Sequence, residues 1–116
     1  MNDLIDIDWE QLHQVSEDDP EFELELLTML AEDVKIHIAE LRQAVVDRDP
    51  LAIAHEAHYI KGASANVGMI GITALASQIE QLATTKLIAD TATLVEQMAI
   101  DLSHLESYLA TKTAID

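Results

Sequence analysis

The residues best suited to chemistry lie close together in the middle of the chain: His58, Lys61 and Gly62. Around them, small or apolar side chains recur at steps of four, three, four and three residues, the spacing of one buried helix face; they are Ile53, Ala57, Ile60, Ser64 and Val67. At ~100° per residue, His58 falls roughly 130° from the centre of that stripe. The spacing therefore predicts an imidazole exposed to solvent, with a cation one turn away.

The surroundings of this imidazole are unusually open. Its helical neighbours include Ala54, Gly62 and Ala65, so short side chains flank a long one. Glycine inside a helix costs about 1 kcal/mol relative to alanine, so Gly62 is a poor choice for helix stability alone. Its missing side chain permits close approach of another backbone. Lys61 is the only Lys or Arg between Arg48 and Lys86, and it suits an anion bound on His58.

A neutral imidazole on the surface is a good nucleophile near pH 7, because its unperturbed pKa is about 6.5. It can accept a phosphoryl group and return it, a reaction that depends mainly on positioning and charge stabilisation. The chain contains no G-x-x-x-x-G-K-[ST] phosphate-binding loop, and Lys61-Gly62 has the wrong order for one. We therefore expect no self-phosphorylation from ATP, and expect a partner to supply the metal and the acidic pocket.

The elements that must position His58 follow from two Asp-Pro pairs, Asp19-Pro20 and Asp49-Pro50. Each pair places a capping carboxylate before a proline at the first helical position. We predict one long helix from Pro20 to Asp47, and a second from Pro50 to between Asn66 and Gly68. The first carries an apolar stripe of Phe22, Leu26, Met29, Leu30, Val34, Ile38, Leu41 and Val45.

Three further segments complete the predicted fold. A short helix over Asp8 to Gln14 uses Trp9 as its core anchor, and a turn at 68–71 leads into a helix from Ile72 to about Thr84. After a loop at 84–90, a last helix starts at a cap on Asp90 or Thr91 and ends near Lys112. Its stripe is Val95, Met98, Leu102, Leu105 and Leu109. We predict an all-α, antiparallel up-down-up-down four-helix bundle with a short N-terminal helix, one domain over 1–116.

Composition limits the possible functions. The formal net charge of -16 disfavours nucleic acid as a partner, because phosphate binding relies on Lys and Arg. The charge promotes solubility and repulsion between copies, or steers the chain toward a basic partner surface. No cysteine is present, so a disulfide framework and a thiolate metal site are excluded. Without a long apolar run or a basic N-terminal segment, we expect a soluble cytoplasmic monomer that does not bind membranes.

The segment His58-x-Ile60-Lys61-Gly62-x-Ser64-x-Asn66-Val67-Gly68 resembles the signature of histidine-containing phosphotransfer (HPt) domains, H-x-L-K-G-[SA]-[SA]-x-x-[LV]-G. The following segment, residues 75–80, is similar to the family's next helix. Two positions depart from the signature: Ile60 replaces the commoner Leu, and Ala63 replaces Ser. Neither change removes a group that the chemistry needs.

The resemblance implies a phosphoryl carrier that relays phosphate between aspartates of response-regulator receiver domains, served by a hybrid sensor histidine kinase. It assigns the phosphoryl group to His58, on Nε2, and charge neutralisation to Lys61. Gly62, Ala54 and Ala65 would form the docking surface. The chain would need no cofactor of its own, since the receiver supplies Mg²⁺.

The resemblance leaves two roles open on the helix that follows. Gln78 and Glu80 are both candidates to hydrogen-bond the imidazole or to line the docking face, and the sequence does not choose between them. Ser64 lies on the buried stripe and receives at most a helix-orienting role. A second function class also stays open, a helical bundle that binds a signalling partner without chemistry. The phosphotransfer part of a chemotaxis-type kinase would need a separate kinase domain, which the sequence does not show.

Other histidines and methionines are interpreted as structural. His55 and His58 are spaced as H-E-A-H, one residue short of the zinc-protease motif, so we expect no metal site there. His13 belongs to a single E-x-x-H, whereas a di-iron bundle needs two, and we interpret it as a surface residue. We expect His37 and His104, on long helices, to lack nearby partners and a functional role. Met29 and Met98 are expected in the core.

Overall fold

The chain forms five helices in a computed structural model, which describes the backbone of residues 5–115 and the side chains of residues 5–112. They are α1 (Trp9–Val15), α2 (Pro20–Val46), α3 (Pro50–Ala65), α4 (Ile70–Thr84) and α5 (Ile88–Ile115). The last four form an antiparallel bundle, in which each helix packs against the next and α5 closes against α2. The predicted all-α bundle with a short additional N-terminal helix is confirmed.

The starts of α1, α2 and α3 follow from side-chain caps. Asp19 accepts hydrogen bonds from the backbone N–H of Glu21 and Phe22, and Asp49 accepts one from Ala52. In both cases proline occupies the first turn, as predicted. Asp8 caps α1 in the same way through the N–H of Gln11, so α1 begins one residue later than predicted.

Two helices of the bundle end without glycine. Arg48 (φ 54°) and Lys86 (φ 64°) adopt the left-handed conformation at the α2–α3 and α4–α5 turns. At the second turn, the N–H of Leu87 bonds the carbonyl of Leu82 at 2.9 Å, which closes α4 tightly. The predicted loop at 84–90 is therefore wrong, since α5 already starts at Ile88. Thr91 is buried inside α5, where its hydroxyl bonds the carbonyl of Ile88, and it is not a cap.

Two further boundaries differ from the prediction. The α4 helix starts at Ile70, two residues early, so that Gly71 lies inside it, and α5 continues past Lys112 to Ile115. Gly68 alone provides the reversal after α3, with φ 79°. A side chain at this glycine would place Cβ only 2.8 Å from the carbonyl oxygen of Asp8. That close approach fixes α1 against the end of α3.

The core consists mainly of aliphatic side chains from all four long helices. The predicted stripes of α3 and α5 are buried throughout, including Met98. The prediction for α2 is wrong at Met29, which is 66% exposed, and at Phe22, which is also exposed. Met29 follows Leu27 by two residues, so it points ~200° away from the buried face. Two large apolar side chains of α2 that were assigned to the core therefore lie on the protein surface.

Candidate functional site

His58 is exposed because α3 buries the opposite side. Ile53, Ala57, Ile60 and Ser64 are fully buried against the bundle, and the His58 side chain on the other side is 69% exposed. The predicted orientation of the imidazole is confirmed. Its ring therefore stands at the surface on a helix whose rotation is fixed by close packing.

Glu80 on α4 contacts both predicted chemical groups. One carboxylate oxygen, Oε2, lies 3.0 Å from Nδ1 of His58, and the other, Oε1, lies 2.6 Å from Nζ of Lys61. Of the two candidates on α4, Glu80 is therefore the residue that hydrogen-bonds the imidazole. Gln78 is exposed and lines a neighbouring cleft with Lys61 and Gln81. Glu80 holds the ring.

This carboxylate determines which nitrogen of the imidazole carries the proton. The hydrogen bond from Lys61, and its charge, lower the pKa of Glu80, and the bond from His58 adds to that effect. An ionised carboxylate can only accept hydrogen bonds, so Nδ1–H of His58 is the donor. In the neutral ring, Nε2 then keeps its lone pair and faces away from Glu80. The free nucleophile is Nε2.

Lys61 differs from the expectation drawn from sequence. It was expected to neutralise the charge of an anion bound on His58, and its ammonium is paired with Glu80, with the side chain 34% exposed. The ammonium therefore acts on the ring through the shared carboxylate. Its predicted direct role toward a bound phosphate stays a prediction.

A hydroxyl pair formed by buried Ser64 and half-buried Thr73 connects α3 to α4. The Oγ of Ser64 lies 2.7 Å from the carbonyl oxygen of Ile60 and 2.8 Å from Oγ1 of Thr73, and either hydroxyl of this pair can be the donor to the other. Thr73 also reaches the carbonyl of Met69. Since Glu80 lies two turns beyond Thr73, this contact sets the carboxylate opposite His58. Sequence reasoning missed Thr73, because a threonine in a helix gives no signal of its distant partner.

The remaining predicted positions form an open surface around the ring. Gly62 and Ala65 are exposed, and Ala54 is half-buried. An added Cβ at Gly62 would meet no atom within 4 Å, so nothing inside the fold requires glycine there. The carbonyl of Ala65 accepts a hydrogen bond from Gln11 Nε2 at 2.7 Å, which links this surface to α1.

The comparisons with known proteins agree with this geometry. Residues 25–108 match the sequence model of the Hpt domain. The chain belongs to the Hpt domain family. Domains of this family carry phosphoryl groups in two-component signalling and interact with receiver domains and hybrid kinases. A comparison with curated protein sequences found no match.

Three solved structures share the fold of this Hpt domain. It resembles histidine-containing phosphotransfer protein B (HptB) from Pseudomonas aeruginosa PAO1, with a TM-score of 0.85 and 22% identity over 96% of each chain. The HPT domain of a sensor hybrid histidine kinase from Shewanella matches with a TM-score of 0.77 and 19% identity, over 98% of each chain. The histidine-containing phosphotransfer protein ZmHP2 from maize matches with a TM-score of 0.81 and 22% identity, over 98% of this chain and 92% of the maize chain. At these identities the likeness shows the fold alone.

A second group of polar contacts lies on the other side of α3. Nδ1 of His37 on α2 lies 2.5 Å from Oε2 of Glu56, and Nε2 lies 3.6 Å from Oδ1 of Asp33. Tyr59 donates to Oδ2 of Asp33 at 2.8 Å and stacks on the His37 ring with centroids 3.9 Å apart. The expectation that His37 lacks partners is therefore wrong. Helical spacing alone could not reveal it, since the contacts cross between two helices.

The other histidines fall outside the site of this Hpt domain. His13 is exposed, as predicted, and its Nε2 lies 3.3 Å from Glu23. His104 lies on α5, with Nδ1 buried and without a hydrogen-bond partner. Across the described residues, no group of three or more His, Asp or Glu side chains is arranged to hold a metal ion. No described helix is long and apolar enough to cross a membrane.

Proposed function

We propose that this Hpt domain relays a phosphoryl group between aspartates of receiver domains, with His58 as the carrier. The observation that supports it most directly is the contact of Glu80 with Nδ1, which leaves Nε2 unprotonated and exposed. A free nucleophilic nitrogen on a rigid helix is the group that an in-line phosphoryl transfer needs.

The transfer step follows from this arrangement. The lone pair of Nε2 attacks the phosphorus of an aspartyl phosphate, the N–P bond forms, and the P–O bond breaks. The electron pair of that bond stays on the aspartate of the receiver. The imidazole, still protonated at Nδ1, becomes positively charged, and the carboxylate of Glu80 stabilises that charge. The reverse step restores the neutral ring.

The partner supplies the rest of the chemistry in this proposal. The receiver contributes the aspartate and Mg²⁺, and a hybrid sensor kinase feeds the relay. Gly62, Ala54 and Ala65 admit the receiver because they place little side-chain volume around His58. Gln78 lines the neighbouring cleft, together with Lys61 and Glu80. We further propose that the chain acts as a monomer in the cytoplasm, with neither nucleic acid nor membrane as partner.

A transfer assay tests the proposal. A phosphorylated receiver domain is mixed with wild type, His58→Gln or His55→Gln, and the label on this chain is followed. His55 is a matched control, because it is exposed on the same helix one turn away. We expect label that is acid-labile and alkali-stable in wild type and His55→Gln, and none in His58→Gln. Label that survives in His58→Gln would contradict the assignment.

The alternative function makes a different prediction. A bundle that binds a signalling partner without chemistry would hold its partner equally well with glutamine at position 58. Binding of a receiver without label on any variant, over a broad panel of receivers, would favour that alternative. The extent of the domain, predicted as 1–116, stays a prediction.

A further inference from the structure

Aromatic rings from α1 and α5 meet in a surface cleft whose volume, about 480 Å³, is enough for a small molecule. Trp9 and Tyr108 are both half-buried, and their rings lie edge to face, with centroids 5.7 Å apart and an interplanar angle of 63°. The ring of His13 stands 6.4 Å from that of Trp9 and is tilted by 44°. The three rings lie at angles to one another, so they form a corner and not a flat wall.

The carboxylate of Glu23 on α2 lies in the same cleft and is mostly covered. Its side chain is 15% exposed, and its Oε1 lies 3.3 Å from Nε2 of His13. Burial raises the pKa of Tyr108, and the negative charge of Glu23 raises it further, so the phenol stays neutral at pH 7. Aromatic faces and a shielded carboxylate both attract a positive charge, and neither attracts an anion. The cleft is therefore suited to a cation.

A cation of the chain itself already lies in this cleft. Nζ of Lys112, near the end of α5, lies 5.6 Å from the centroid of the Tyr108 ring. This is within the distance of about 6 Å at which an aromatic face attracts an ammonium group. Lys112 is exposed, and a primary ammonium is strongly hydrated, so water can take over its contact with the ring. The ammonium of Lys112 thus marks a cation position that another cation can occupy.

We propose that this cleft binds a small organic cation with a quaternary ammonium group, which displaces the ammonium of Lys112 from Tyr108. A quaternary ammonium has no N–H group to leave without a hydrogen bond, so its transfer from water onto aromatic rings costs less than that of a primary ammonium. Tyr108 and Trp9 contact its methyl groups, and Glu23 balances its charge. The proposal is independent of the phosphotransfer function, because none of these residues is assigned to the site at His58.

Trp9 is the only tryptophan of the chain, so its fluorescence reports on the cleft directly. The protein is titrated at constant ionic strength with choline chloride and, in parallel, with dimethylbutanol, the uncharged analogue of choline in which carbon replaces nitrogen. We expect a saturable change with choline, and an affinity for dimethylbutanol that is lower by about tenfold or more. Labelling of His58 by phosphoramidate, a small phosphoryl donor, should have the same rate with and without choline.

Two pairs of substitutions test the groups that attract the cation. Tyr108→Leu removes the aromatic face and Tyr108→Phe keeps it, so the first should weaken choline binding by about fivefold or more and the second by less than about twofold. Glu23→Gln should weaken binding by about threefold, whereas Glu25→Gln, which changes an exposed carboxylate on the same helix, should match wild type. Circular dichroism and urea unfolding show whether each variant keeps the helical fold.

The displacement of Lys112 is tested by Lys112→Met. This variant lacks the competing ammonium, so choline should bind about twofold to fivefold more tightly than to wild type. Lys86→Met is the matched control, because it removes the same charge from the turn at the other end of α5. Its affinity for choline should stay close to that of wild type.

Four results would overturn the proposal. The absence of a saturable change with choline, or equal affinities for choline and dimethylbutanol, would show that the cleft does not recognise a quaternary ammonium. Equal effects of Lys112→Met and Lys86→Met would show that Lys112 does not compete for the site. A peptide with trimethyllysine that bound about tenfold more tightly than choline would assign the cleft to a partner protein instead of a small cation. Each of these results leaves the transfer assay at His58 unaffected.

Discussion

The two sides of His58 differ in their polarity and in the hydrogen bonds that they offer to the ring. On the α4 side, Glu80 connects the imidazole to Lys61 by short charge-assisted hydrogen bonds. On the α2 side, the neighbours are an apolar groove and the stacked pair of His37 and Tyr59, none of which bonds the His58 ring. One side fixes the proton on Nδ1 of His58, and the other presents exposed apolar surface.

This separation fits the proposed function, in which one short segment serves both chemistry and recognition. In that proposal a partner needs access to Nε2 of His58, so the residues that set the tautomer have to lie elsewhere. Glu80 meets that need because it contacts only Nδ1. A substitution on the α4 side should therefore affect every donor, and one on the α2 side should affect only donors that dock.

The largest effect on the α4 side is expected from Glu80→Ala. It removes the group that keeps the proton on Nδ1 and that stabilises the charged ring. Hydrogen bonds to charged groups contribute about 1.5–3 kcal/mol, so the labelling rate of His58 should fall by about tenfold or more. The rate is measured with both a receiver and phosphoramidate as donors, and both should fall.

Gln78→Ala is the matched control, because Gln78 is exposed on the same helix near Glu80 and makes no contact with the ring. Its phosphoramidate rate should equal that of wild type. If Glu80→Ala slowed transfer from the receiver alone, Glu80 would belong to the docking surface, and the contrast between the two sides would fail.

A smaller effect, with opposite signs in two assays, is expected from Gly62→Ala. The new methyl group enters open space and removes the helix cost of glycine, so the free energy of unfolding should rise by up to about 1 kcal/mol. The same methyl group stands where a receiver must approach, so transfer from a receiver should slow while labelling by phosphoramidate stays unchanged. Urea unfolding and the two transfer assays measure these effects.

Gly71→Ala provides the contrast within α4. Its Cβ would lie 2.9 Å from Cβ of Asp6, so this substitution should lower the free energy of unfolding. A stabilised Gly62→Ala variant that transferred phosphate as fast as wild type would show that the glycine has no role in docking.

The sequence predicted the α4 side of the site less completely than the orientation of His58. The buried stripe of α3 has a regular period, and a period fixes the direction of every side chain on that helix. The partner of the ring depends instead on how α3 and α4 are aligned along their length. That alignment rests on Gly68, on Ser64 and on Thr73, whose hydroxyl contact spans the two helices.

The α2 side shows a different limit of sequence reasoning. Met29 was assigned to the core because it is apolar and follows helical spacing loosely, yet it lies opposite the buried face of α2. An exposed apolar side chain looks the same in a sequence as a buried one, so an apolar surface groove is easily mistaken for core. The ends of α2 and α4 were predicted to within one residue, although Arg48 and Lys86 adopt the left-handed backbone that glycine usually marks.

The smallest effect expected on the α4 side concerns the ion pair of Lys61 and Glu80. Because the fold lowers the pKa of Glu80, chiefly through Lys61, the pair stabilises the protein above the ordinary pKa of a glutamate, about 4.3. That stability is lost as the pH falls through the lowered pKa. Lys61→Met should raise the pKa of Glu80 toward its ordinary value, as followed by NMR titration of the carboxyl carbon. The pair is partly exposed, so its contribution at neutral pH should stay below about 1 kcal/mol.

Lys35→Met removes the same charge from the surface of α2, far from Glu80, where Lys35 faces Glu106. It should leave the pKa of Glu80 almost unchanged. An equal rise in both variants would mean that the overall negative charge of the chain, and not the direct bond from Lys61, sets the ionisation of Glu80.

The contact with His58 should keep the pKa of Glu80 slightly low even in Lys61→Met, because the Nδ1–H bond also favours the carboxylate. If the imidazole causes this remaining shift, the pKa of Glu80 should return to its ordinary value in the double variant Lys61→Met/His58→Gln.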